Sequence, residues 1–545
     1  MSELPPPVQQ FLDAAAGALT VTSTSAPAEA GRYDRILVAV ADRAALRRLV
    51  LPAGLRSGFV GVYVAAAPAP LTLVAKPEWP GLLGLHARPA GDGWFTTLRF
   101  ERRAEVADVV REAGRQSVWS DVAGGRGLRV SPLDVVSEKV PPDVLLPGAP
   151  APEEPSEVTG RTPVSLREVP GPVSLGPLDE RVLNPIGFDP RATGPVVTLS
   201  SLDLRDGPTE ALVASLRPAS GVRVDVDAPA VAAGLAMAGV PLVGDVAAPV
   251  LGSVLGDPVA AALAAPVDLT DPLAREEHSL VLRRAALDTF STFAWRRAVG
   301  DLAGVRVAGR GSVSVVLATR RPEMLDFALR QVARQRGVES LELVLAPHGF
   351  EPDPARVRDL LPASIALHVV PAAASAVFGD VLAAASDAAS GDLVLKMDDD
   401  DWYAPDLVAD LLRARAYSGA QLVGTQSELH YLAEPDLTVK RGYPSELYAV
   451  FVAGGTMLIE RGLLREVGGF RSVRKFVDAQ LLDAVLRSGA AVYRTHGLGY
   501  VLRRNATGHT WQADLDYLLD PAHVERTWPG FHPSRLLEAD PADVP

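Results

Sequence analysis

Cysteine is absent from the chain of 545 residues, and lysine is scarce, with five lysines among 53 basic residues. The lack of cysteine excludes disulfide bonds, thiolate metal sites and a cysteine nucleophile. Acidic residues number 66, so the formal net charge is −13. Nucleic-acid binding over a large surface is therefore not expected, because that function needs a basic face. With 48% hydrophobic residues, the chain has enough apolar side chains to bury large cores.

Long hydrophobic runs are also missing. The longest uncharged apolar stretch, residues 228–244, is rich in alanine and glycine, contains two prolines, and is too short for a good membrane span. Residues 1–8 have no basic segment before an apolar run, so they do not resemble a signal peptide. We expect a cytoplasmic protein of about two to four domains. The high content of arginine and alanine is typical of a GC-rich bacterial genome.

Composition and periodicity divide the chain into five segments. They are a strand-rich α/β N-terminal domain (1–140), a proline-rich linker (141–195), a small Rossmann-like α/β domain expected to be non-catalytic (196–305), a larger α/β domain (306–515) and a C-terminal tail (516–545). Strand and helix patterns alternate in the larger domain, which predicts a mostly parallel sheet.

Local patterns predict several further elements. We expect a helix over Val8–Leu19, strands over Leu71–Ala75 and Glu446–Ala453, and a charged helix over Asp271–Arg297. On that charged helix we expect His278 to lie at the surface.

Four consecutive aspartates, Asp398 to Asp401, follow the apolar run Leu393–Leu395 and precede Pro405, which suits the first turn of a helix. Ligands bind at the carboxyl edge of open α/β sheets. Adjacent carboxylates repel one another unless a cation neutralises them, and aspartate oxygens suit Mg²⁺ or Mn²⁺ bound together with substrate phosphates. The alternative is a solvated turn that caps a helix, for which one or two aspartates are enough. The pattern favours a site for a metal ion and a diphosphate.

The order of strand, Asp-x-Asp, aromatic pair and Ala-Pro-Asp resembles the metal site of family 2 glycosyltransferases with the GT-A fold, over about residues 311–511. The resemblance implies a Rossmann-like mixed sheet on which Asp398 and Asp400 hold Mn²⁺ or Mg²⁺ at the two phosphates of the donor. Asp399 is placed with the donor-binding residues, and in an alternative register it replaces Asp398 as a ligand. A weaker resemblance, over about 196–297, is to the carboxyl half of GT-B glycosyltransferases.

The resemblance also places residues at the donor nucleotide. Residues 313–322 match the opening motif of the family, so Thr319 and Arg320 are expected near the nucleotide. At the end of the second strand the family often carries acidic residues that read a uridine, but this chain has Pro347 and His348 there. We expect His348 either to contact the base or to cap the strand. Gly455, in a Gly-Gly turn, is expected to let a ligand approach the backbone closely.

Asp478 is the candidate catalytic base. It falls on the inner face of a helix predicted over Lys475–Ser488, at the first turn. The resemblance implies that it takes the proton from an acceptor hydroxyl, whereas the alternative is a structural charge cap at the start of the helix.

Two histidines and two arginines complete the implied site. The resemblance makes His509 a further metal ligand, with His496 as the second choice, and places Arg503 and Arg504 where they could neutralise the leaving diphosphate.

The leading hypothesis is a metal-dependent inverting glycosyltransferase that uses a nucleotide-sugar donor. The expected acceptor is a glycan, a cell-envelope component or a small molecule; nucleic acid is not expected as a partner, and peripheral membrane contact and a homo-oligomer stay open. The alternatives are a metal-dependent nucleotidyltransferase and a non-catalytic binding or assembly protein with the same fold. The products separate the first two, because glycosyl transfer releases a nucleoside diphosphate and nucleotidyl transfer releases pyrophosphate.

Overall fold

The computed structural model describes residues 4–14, 17–22, 29–66, 79–80, 82–115, 144–145, 164–165, 178–183, 192–244, 254–291, 293–294, 312–504 and 515–545. The chain divides into two compact units. The first comprises residues 1–179, 289–310 and 487–490, and the second comprises residues 180–288, 311–486 and 491–545.

The described residues of the first unit form a five-stranded sheet and three helices. Its strands are β1 (Ala18–Thr22), β2 (Gly31–Asp42), β3 (Leu55–Ala66), β4 (Leu82–Ala90) and β5 (Gly93–Glu105), with a two-residue pair, β6 (Val144–Leu145) and β7 (Val164–Ser165). Its helices are α1 (Pro6–Asp13), α2 (Arg43–Arg48) and α3 (Val106–Arg115). The sheet order is β1-β2-β3-β5-β4, and the first three strands run parallel. The predicted strand-rich α/β character is therefore confirmed.

One helix prediction in this unit is wrong at its carboxyl end. The helix expected to reach Leu19 ends at Asp13, because residues 18–22 pair with β2 instead. The consecutive β-branched residues Thr20, Val21 and Thr22 fit a strand better than a helix. The strand predicted over Leu71–Ala75 lies outside the described residues, as does most of the predicted linker.

The second unit begins with a small three-stranded parallel sheet. Its strands are β8 (Gly194–Thr198), β9 (Ala219–Val224) and β10 (Leu242–Gly244), in the order β10-β9-β8. The accompanying helices are α4 (Glu180–Leu183), α5 (Glu210–Leu216), α6 (Pro229–Met237), α7 (Asp257–Ala264) and α8 (Pro272–Phe290), with a 3₁₀ turn at Leu199–Ser201. Parallel strands joined by helices match the Rossmann-like arrangement predicted here.

Helix α8 is buried although its sequence is rich in charge. His278 is 2% exposed, and its Nε2 lies 2.6 Å from the carbonyl oxygen of Leu242, so the surface position predicted for it is wrong. Arg283 forms an ion pair with Glu446 at 3.0 Å, with both side chains 4% exposed. Ion pairs of this kind allow a charged helix to be enclosed, which a count of polar residues does not reveal.

The larger part of the second unit contains thirteen strands in the described residues. They are β11 (Val313–Thr319), β12 (Leu341–Pro347), β13 (Ala366–Val369), β14 (Leu393–Met397), β15 (Trp402–Tyr403), β16 (Leu422–Thr425), β17 (Leu429–Leu432), β18 (Leu437–Arg441), β19 (Leu447–Tyr448), β20 (Leu458–Glu460), β21 (Val492–Thr495), β22 (Tyr500–Arg504) and β23 (Val524–Pro529). The helices are α9 (Leu325–Ala333), α10 (Pro354–Leu360), α11 (Phe378–Ala388), α12 (Leu407–Ser418), α13 (Arg461–Glu466), α14 (Val477–Arg487) and α15 (Leu515–Leu518), and 3₁₀ turns lie at Pro322–Met324, Gly454–Thr456, Arg535–Leu537 and Pro541–Asp543.

These strands form two mixed sheets. The larger has eight strands in the order β13-β12-β11-β14-β20-β16-β21-β19. The first four strands in this order run parallel to one another, and β20 is antiparallel to both β14 and β16. Every residue of β14 is buried, as the apolar run predicted. Of the strand predicted over Glu446–Ala453, only Leu447–Tyr448 is a strand. The fold class is α/β with a mixed Rossmann-like sheet.

A second sheet was not predicted. It has the order β15-β22-β17-β18-β23, and its last strand belongs to the segment that composition marked as a tail. Residues 524–529 pair with β18, so the carboxyl end of the chain is part of this unit. In the described part of the chain, no helix is both long enough and apolar enough to cross a membrane.

Candidate functional site

The four aspartates lie at the carboxyl end of β14, as predicted. β14 is flanked by β11 and β20, and after the aspartates the short strand β15 joins the second sheet through β22. The acidic turn therefore connects the two sheets. Asp399, Asp400 and Asp401 are 4–6% exposed, while the side chain of Asp398 is 33% exposed. Three buried carboxylates in sequence need partners inside the protein.

Lys396 connects the acidic turn to the predicted base. Its side chain is 3% exposed; its Nζ lies 2.7 Å from Oδ1 of Asp398 and 3.5 Å from Oδ2 of Asp478, and it donates to the carbonyl oxygen of Gly454 at 3.3 Å. Burial disfavours the charged form of Lys396, but Asp398 and Asp478 outweigh it and raise the pKa of the ammonium group. One buried cation thus holds both carboxylates in place.

Asp478 has one oxygen without a partner. Its Oδ1 is shielded from solvent and makes no hydrogen bond with any described residue, although the side chain as a whole is 35% exposed. Burial raises the pKa of Asp478, and the nearby Lys396 opposes that shift. A buried polar atom without a partner is rare and calls for an explanation, of which a ligand or a catalytic role is one.

The Gly-Gly turn allows the backbone to approach these two carboxylates closely. A Cβ atom on Gly454 would lie 2.1 Å from Oδ2 of Asp478, and one on Gly455 would lie 2.8 Å from Oδ2 of Asp398 and from the hydroxyl of Tyr403. Neither distance is compatible with a side chain at these positions. The sequence indicated close approach here, and the structure shows that the approaching groups include Asp398 and Asp478.

Arg321 neutralises the middle of the acidic turn. Its Nη1 donates to Oδ2 of Asp400 at 2.8 Å, and its Nε and Nη2 donate to the two oxygens of Asp399. Thr319 donates its hydroxyl to Oδ2 of Asp399 at 2.5 Å. Burial raises the pKa of Asp399, and the bonds from Arg321 oppose the rise. Sequence reasoning assigned no role to Arg321, although the carboxyl ends of neighbouring parallel strands meet at one edge of a sheet and β11 adjoins β14.

Asp401 ties the turn to the second sheet. It accepts a hydrogen bond from the hydroxyl of Tyr500 at 2.5 Å and another from the backbone N–H of Arg503 at 2.9 Å. Burial and the neighbouring Asp400 and Asp398 raise the pKa of Asp401 well above its usual range. The guanidinium of Arg503 lies 4.0 Å from the ring centre of Trp402, a cation–π arrangement. Asp401 therefore has a structural role.

The carboxyl end of the chain supports the same turn. The indole N–H of Trp402 donates to the carbonyl oxygen of Asp543 at 2.8 Å, and the backbone N–H of Tyr403 donates to Oε1 of Gln331 at 3.1 Å. Gln331 in turn donates to Oδ2 of Asp543 at 2.8 Å, and Arg330 pairs with Oδ1. This support was not predicted, since residues 516–545 were assigned to a tail.

The residues predicted at the nucleotide lie at the same edge of the large sheet. The backbone N–H of His348 donates to the carbonyl oxygen of Thr319 at 2.8 Å. Arg320 is exposed and donates to the carbonyl oxygen of Ala374 at 2.7 Å. Burial, together with the nearby Arg320, lowers the pKa of His348. Thr319, Arg320 and His348 are thus brought together, and their role in binding stays a prediction.

The two predicted histidine ligands are not brought to the acidic turn within the described residues. His509 lies outside them. His496 is buried, and its Nε2 lies 3.2 Å from Oδ2 of Asp410 on α12, which also pairs with Arg284 of α8. In the described part of the chain, no group of three or more histidine, aspartate or glutamate side chains is placed to hold a metal ion. A site of one or two carboxylates completed by water and phosphate needs no such group.

Comparisons with known proteins give only weak similarities. No protein-family model and no curated protein sequence matches the chain. Among solved structures, a mannosyltransferase from Pyrobaculum calidifontis in complex with GDP-Man and Mn²⁺ matches 37% of this chain and 59% of its own at 17% identity, with a TM-score of 0.29. S. aureus TarS in complex with UDP-GlcNAc matches 37% of this chain and 62% of its own at 17% identity, with a TM-score of 0.31. The chain thus spans about three fifths of these neighbours, and similarity at this level supports no conclusion about function.

Proposed function

We propose that this protein is an inverting glycosyltransferase that moves a sugar from a nucleotide-diphosphate donor to an acceptor hydroxyl. The observation that carries the proposal is the pairing of Asp398 and Asp478 through one buried lysine, with Oδ1 of Asp478 left without a partner. Inverting transfer needs a base beside the acceptor and charge stabilisation beside the leaving group, at a fixed separation. Asp478 supplies the first and the acidic turn the second.

The chemical step follows from that geometry. The carboxylate of Asp478 accepts the proton of the acceptor hydroxyl, and the acceptor oxygen forms a bond with the anomeric carbon of the donor. The bond from that carbon to the phosphate oxygen breaks on the opposite face, and the electron pair leaves with the nucleoside diphosphate. Lys396 keeps Oδ2 of Asp478 fixed through their 3.5 Å contact.

A divalent cation, Mn²⁺ or Mg²⁺, would be held by Asp398 and Asp400. When bound, it would offset the negative charge that develops on the leaving diphosphate. The donor set is compatible with such an ion, because Mg²⁺ is commonly bound by one or two carboxylates. Binding at Asp400 competes with the ion pair from Arg321. His509 stays the proposed third protein ligand.

The donor nucleotide is proposed to lie against Thr319, Arg320 and His348. The exposed guanidinium of Arg320 suits phosphate or ribose oxygens, and guanidinium binds phosphate in a fixed two-bond geometry. His348 stands where the family often places an acidic residue, so the nucleotide is not assumed to be uridine. Asp399 is proposed to contact the donor through the carboxylate edge that Thr319 and Arg321 orient.

One observation favours a non-catalytic alternative. Arg321 already neutralises Asp399 and Asp400, as it would in a protein that kept the fold without binding a metal ion. Titration with Mn²⁺ together with a panel of nucleotide sugars tests this alternative. Binding of the ion with at least one donor is expected, and no binding of any pair would favour the non-catalytic protein.

The reaction is tested by its products and by one variant. Incubation with the donor that binds should release a nucleoside diphosphate, whereas release of pyrophosphate would indicate a nucleotidyltransferase. Asp478→Asn should lower turnover by about 10²- to 10⁴-fold and leave donor affinity nearly unchanged. Asp483→Asn, an exposed carboxylate on the same helix, serves as the matched control. If Asp478→Asn abolishes donor binding instead, Asp478 has a structural role.

A further inference from the structure

Exposed apolar side chains lie on two chain segments that approach Asp478. Phe451 is 49% exposed and Phe476 is 73% exposed, and they are the only exposed phenylalanines among the described residues. Val450 is 74% exposed. Phe476 precedes Asp478 by two residues, and Phe451 precedes Gly454, whose backbone abuts Asp478, by three. The two segments therefore meet at the predicted base.

The backbone holds Phe476 in an unusual conformation. Its φ is +61°, a value that a bulky residue rarely adopts and that glycine or asparagine would adopt at lower cost. Such a residue persists when the surrounding structure over-determines it, and it marks a functional segment more often than chance. The side chain of Phe476 is 73% exposed, so its burial in the folded chain does little to offset this backbone cost.

Three cations accompany the apolar side chains. Arg471, Arg474 and Lys475 are exposed and form no ion pair with a described residue. The base of this loop is fixed on α11: Ser472 donates to Asp380 at 3.0 Å, and a Cβ atom on Gly379 would lie 1.8 Å from the carbonyl oxygen of Arg471. A preformed basic segment on a chain of net charge −13 is a local departure from the overall charge.

We propose that these six residues form a docking surface for an anionic lipid bilayer, which we call the apolar-basic rim: Val450, Phe451, Arg471, Arg474, Lys475 and Phe476. Apolar and aromatic side chains that enter the headgroup region, next to lysine and arginine at the headgroups, are the combination that binds such surfaces. The rim places the bilayer next to Asp478, so the acceptor is one that is presented at a membrane. That last step rests on the proposed function, whereas bilayer binding does not.

Two other occupants fit the rim less well. A two-fold dimer through this surface would bring three cations of one copy against the same three of the other, because such interfaces are self-complementary. A neutral glycan offers no charge to the three cations and leaves Val450, an aliphatic side chain, in water. An anionic bilayer satisfies both the charges and the apolar groups.

Flotation of the full chain with lipid vesicles tests the proposal. We expect binding to vesicles of phosphatidylcholine with phosphatidylglycerol, and little binding to phosphatidylcholine alone. Arg474→Gln with Lys475→Gln should weaken binding by about 30-fold, since each cation near an anionic surface contributes about fivefold. Phe451→Ser with Phe476→Ser should weaken it by at least about tenfold.

Matched controls come from the opposite edge of the large sheet. Arg356→Gln with Arg358→Gln removes two exposed cations from α10, and Val369→Ser removes an exposed apolar side chain from β13. Both should bind vesicles like the unmodified protein. Asp478→Asn should also bind normally, so loss of turnover and loss of docking are separate results. The proposal is overturned if the unmodified protein does not float with anionic vesicles, if the controls lose as much binding as the rim variants, or if the phenylalanine variant turns a dimer into a monomer without a change in flotation.

Discussion

Replacement of Lys396 by methionine is the sharpest test of the candidate site. Methionine keeps a long apolar stem but removes the ammonium group, so Asp398 and Asp478 lose the cation they share. Hydrogen bonds to charged groups contribute about 1.5–3 kcal/mol each, and the 2.7 Å contact to Asp398 is of that kind. The 3.5 Å contact to Asp478 is weaker. Both carboxylates are about one third exposed, which screens the loss, and burying methionine costs less than burying an ammonium group. We expect a net loss of about 2–3 kcal/mol in the free energy of unfolding.

The effect on turnover should exceed the effect on stability. Without Lys396, Oδ2 of Asp478 has no cation to fix it, and the two like charges repel each other. A displacement of about 1 Å in a catalytic group costs about 10²-fold in rate, so we expect a loss of that order in nucleoside diphosphate release. Donor affinity should change less, because the nucleotide is proposed to lie against Thr319, Arg320 and His348.

The chain offers a matched control in Lys440. This second buried lysine pairs with Glu525 at 2.7 Å and lies 3.9 Å from both Glu276 and Glu428, and its side chain is 8% exposed. Urea denaturation should show that Lys440→Met lowers the free energy of unfolding at least as much as Lys396→Met, with an unchanged slope in both. Under conditions where both variants are folded, only Lys396→Met should lose turnover. Equal turnover in the two variants would refute the positioning role of Lys396.

Three further predictions concern charge and backbone space. Arg321→Gln leaves the buried carboxylates of Asp399 and Asp400 without their cation. The free energy of unfolding should therefore fall by about 3 kcal/mol in metal-free buffer and recover in part when Mn²⁺ is added. A variant that is as stable as the parent without Mn²⁺ would contradict this prediction. Gly454→Ala adds a Cβ atom 2.1 Å from Oδ2 of Asp478, so turnover should fall. The control Gly58→Ala, at a position with no atom within 4 Å of the added Cβ, should have no effect. Normal turnover in Gly454→Ala would show that the turn can shift without harm to the site. Burial and the adjacent Glu276 raise the pKa of Glu428 to about 8. The folded chain therefore binds more protons than the unfolded chain between about pH 4.5 and pH 8. The free energy of unfolding should fall as the pH rises through that window. Glu428→Gln should flatten this dependence in denaturation curves recorded across the window, and an unchanged slope would show that Glu428 does not cause it.

The position of the acidic turn could be predicted because each step was local. An apolar run predicts a buried strand, aspartates at its carboxyl end predict an edge site, and Pro405 predicts the helix that follows. The inner face of α14 placed Asp478 by the same kind of reasoning. That these two groups meet at Lys396 depends on the antiparallel pairing of β14 with β20, which no local pattern records. A signal was nevertheless present, since Asp398 directly follows the strand that contains Lys396 and lies two residues from it, the spacing of side chains on one face of a strand.

The second sheet could not be predicted for a related reason. Its five strands come from a long stretch of sequence that extends from Trp402 to Pro529. Short strands such as β15 also have too few residues to show a periodic pattern. The tail carried no strand signal that distinguished it from a loop. In the structure, β23 nevertheless pairs with β18, and the carbonyl oxygen of Asp543 accepts a hydrogen bond from the indole N–H of Trp402. Long-range pairing of this kind is decided by the whole fold and not by the segment itself.

Buried charge explains the remaining errors and the main omission. We predicted a surface position for His278 because a charged helix usually faces solvent. Helix α8 is enclosed instead, since Arg283 and Arg284 form ion pairs with Glu446 and Asp410. We left Arg321 without a role because we assumed that a cation would come from outside the chain. Arg321 nevertheless lies two residues after β11, the strand that pairs with β14. A bound metal ion and Arg321 can each neutralise the repulsion between Asp399 and Asp400, so the two compete for the same carboxylates. It follows that the affinity for Mn²⁺ and the stability of the metal-free protein should change in opposite directions when Arg321 is replaced, and a variant in which both fall together would mean that Asp399 and Asp400 serve the fold alone.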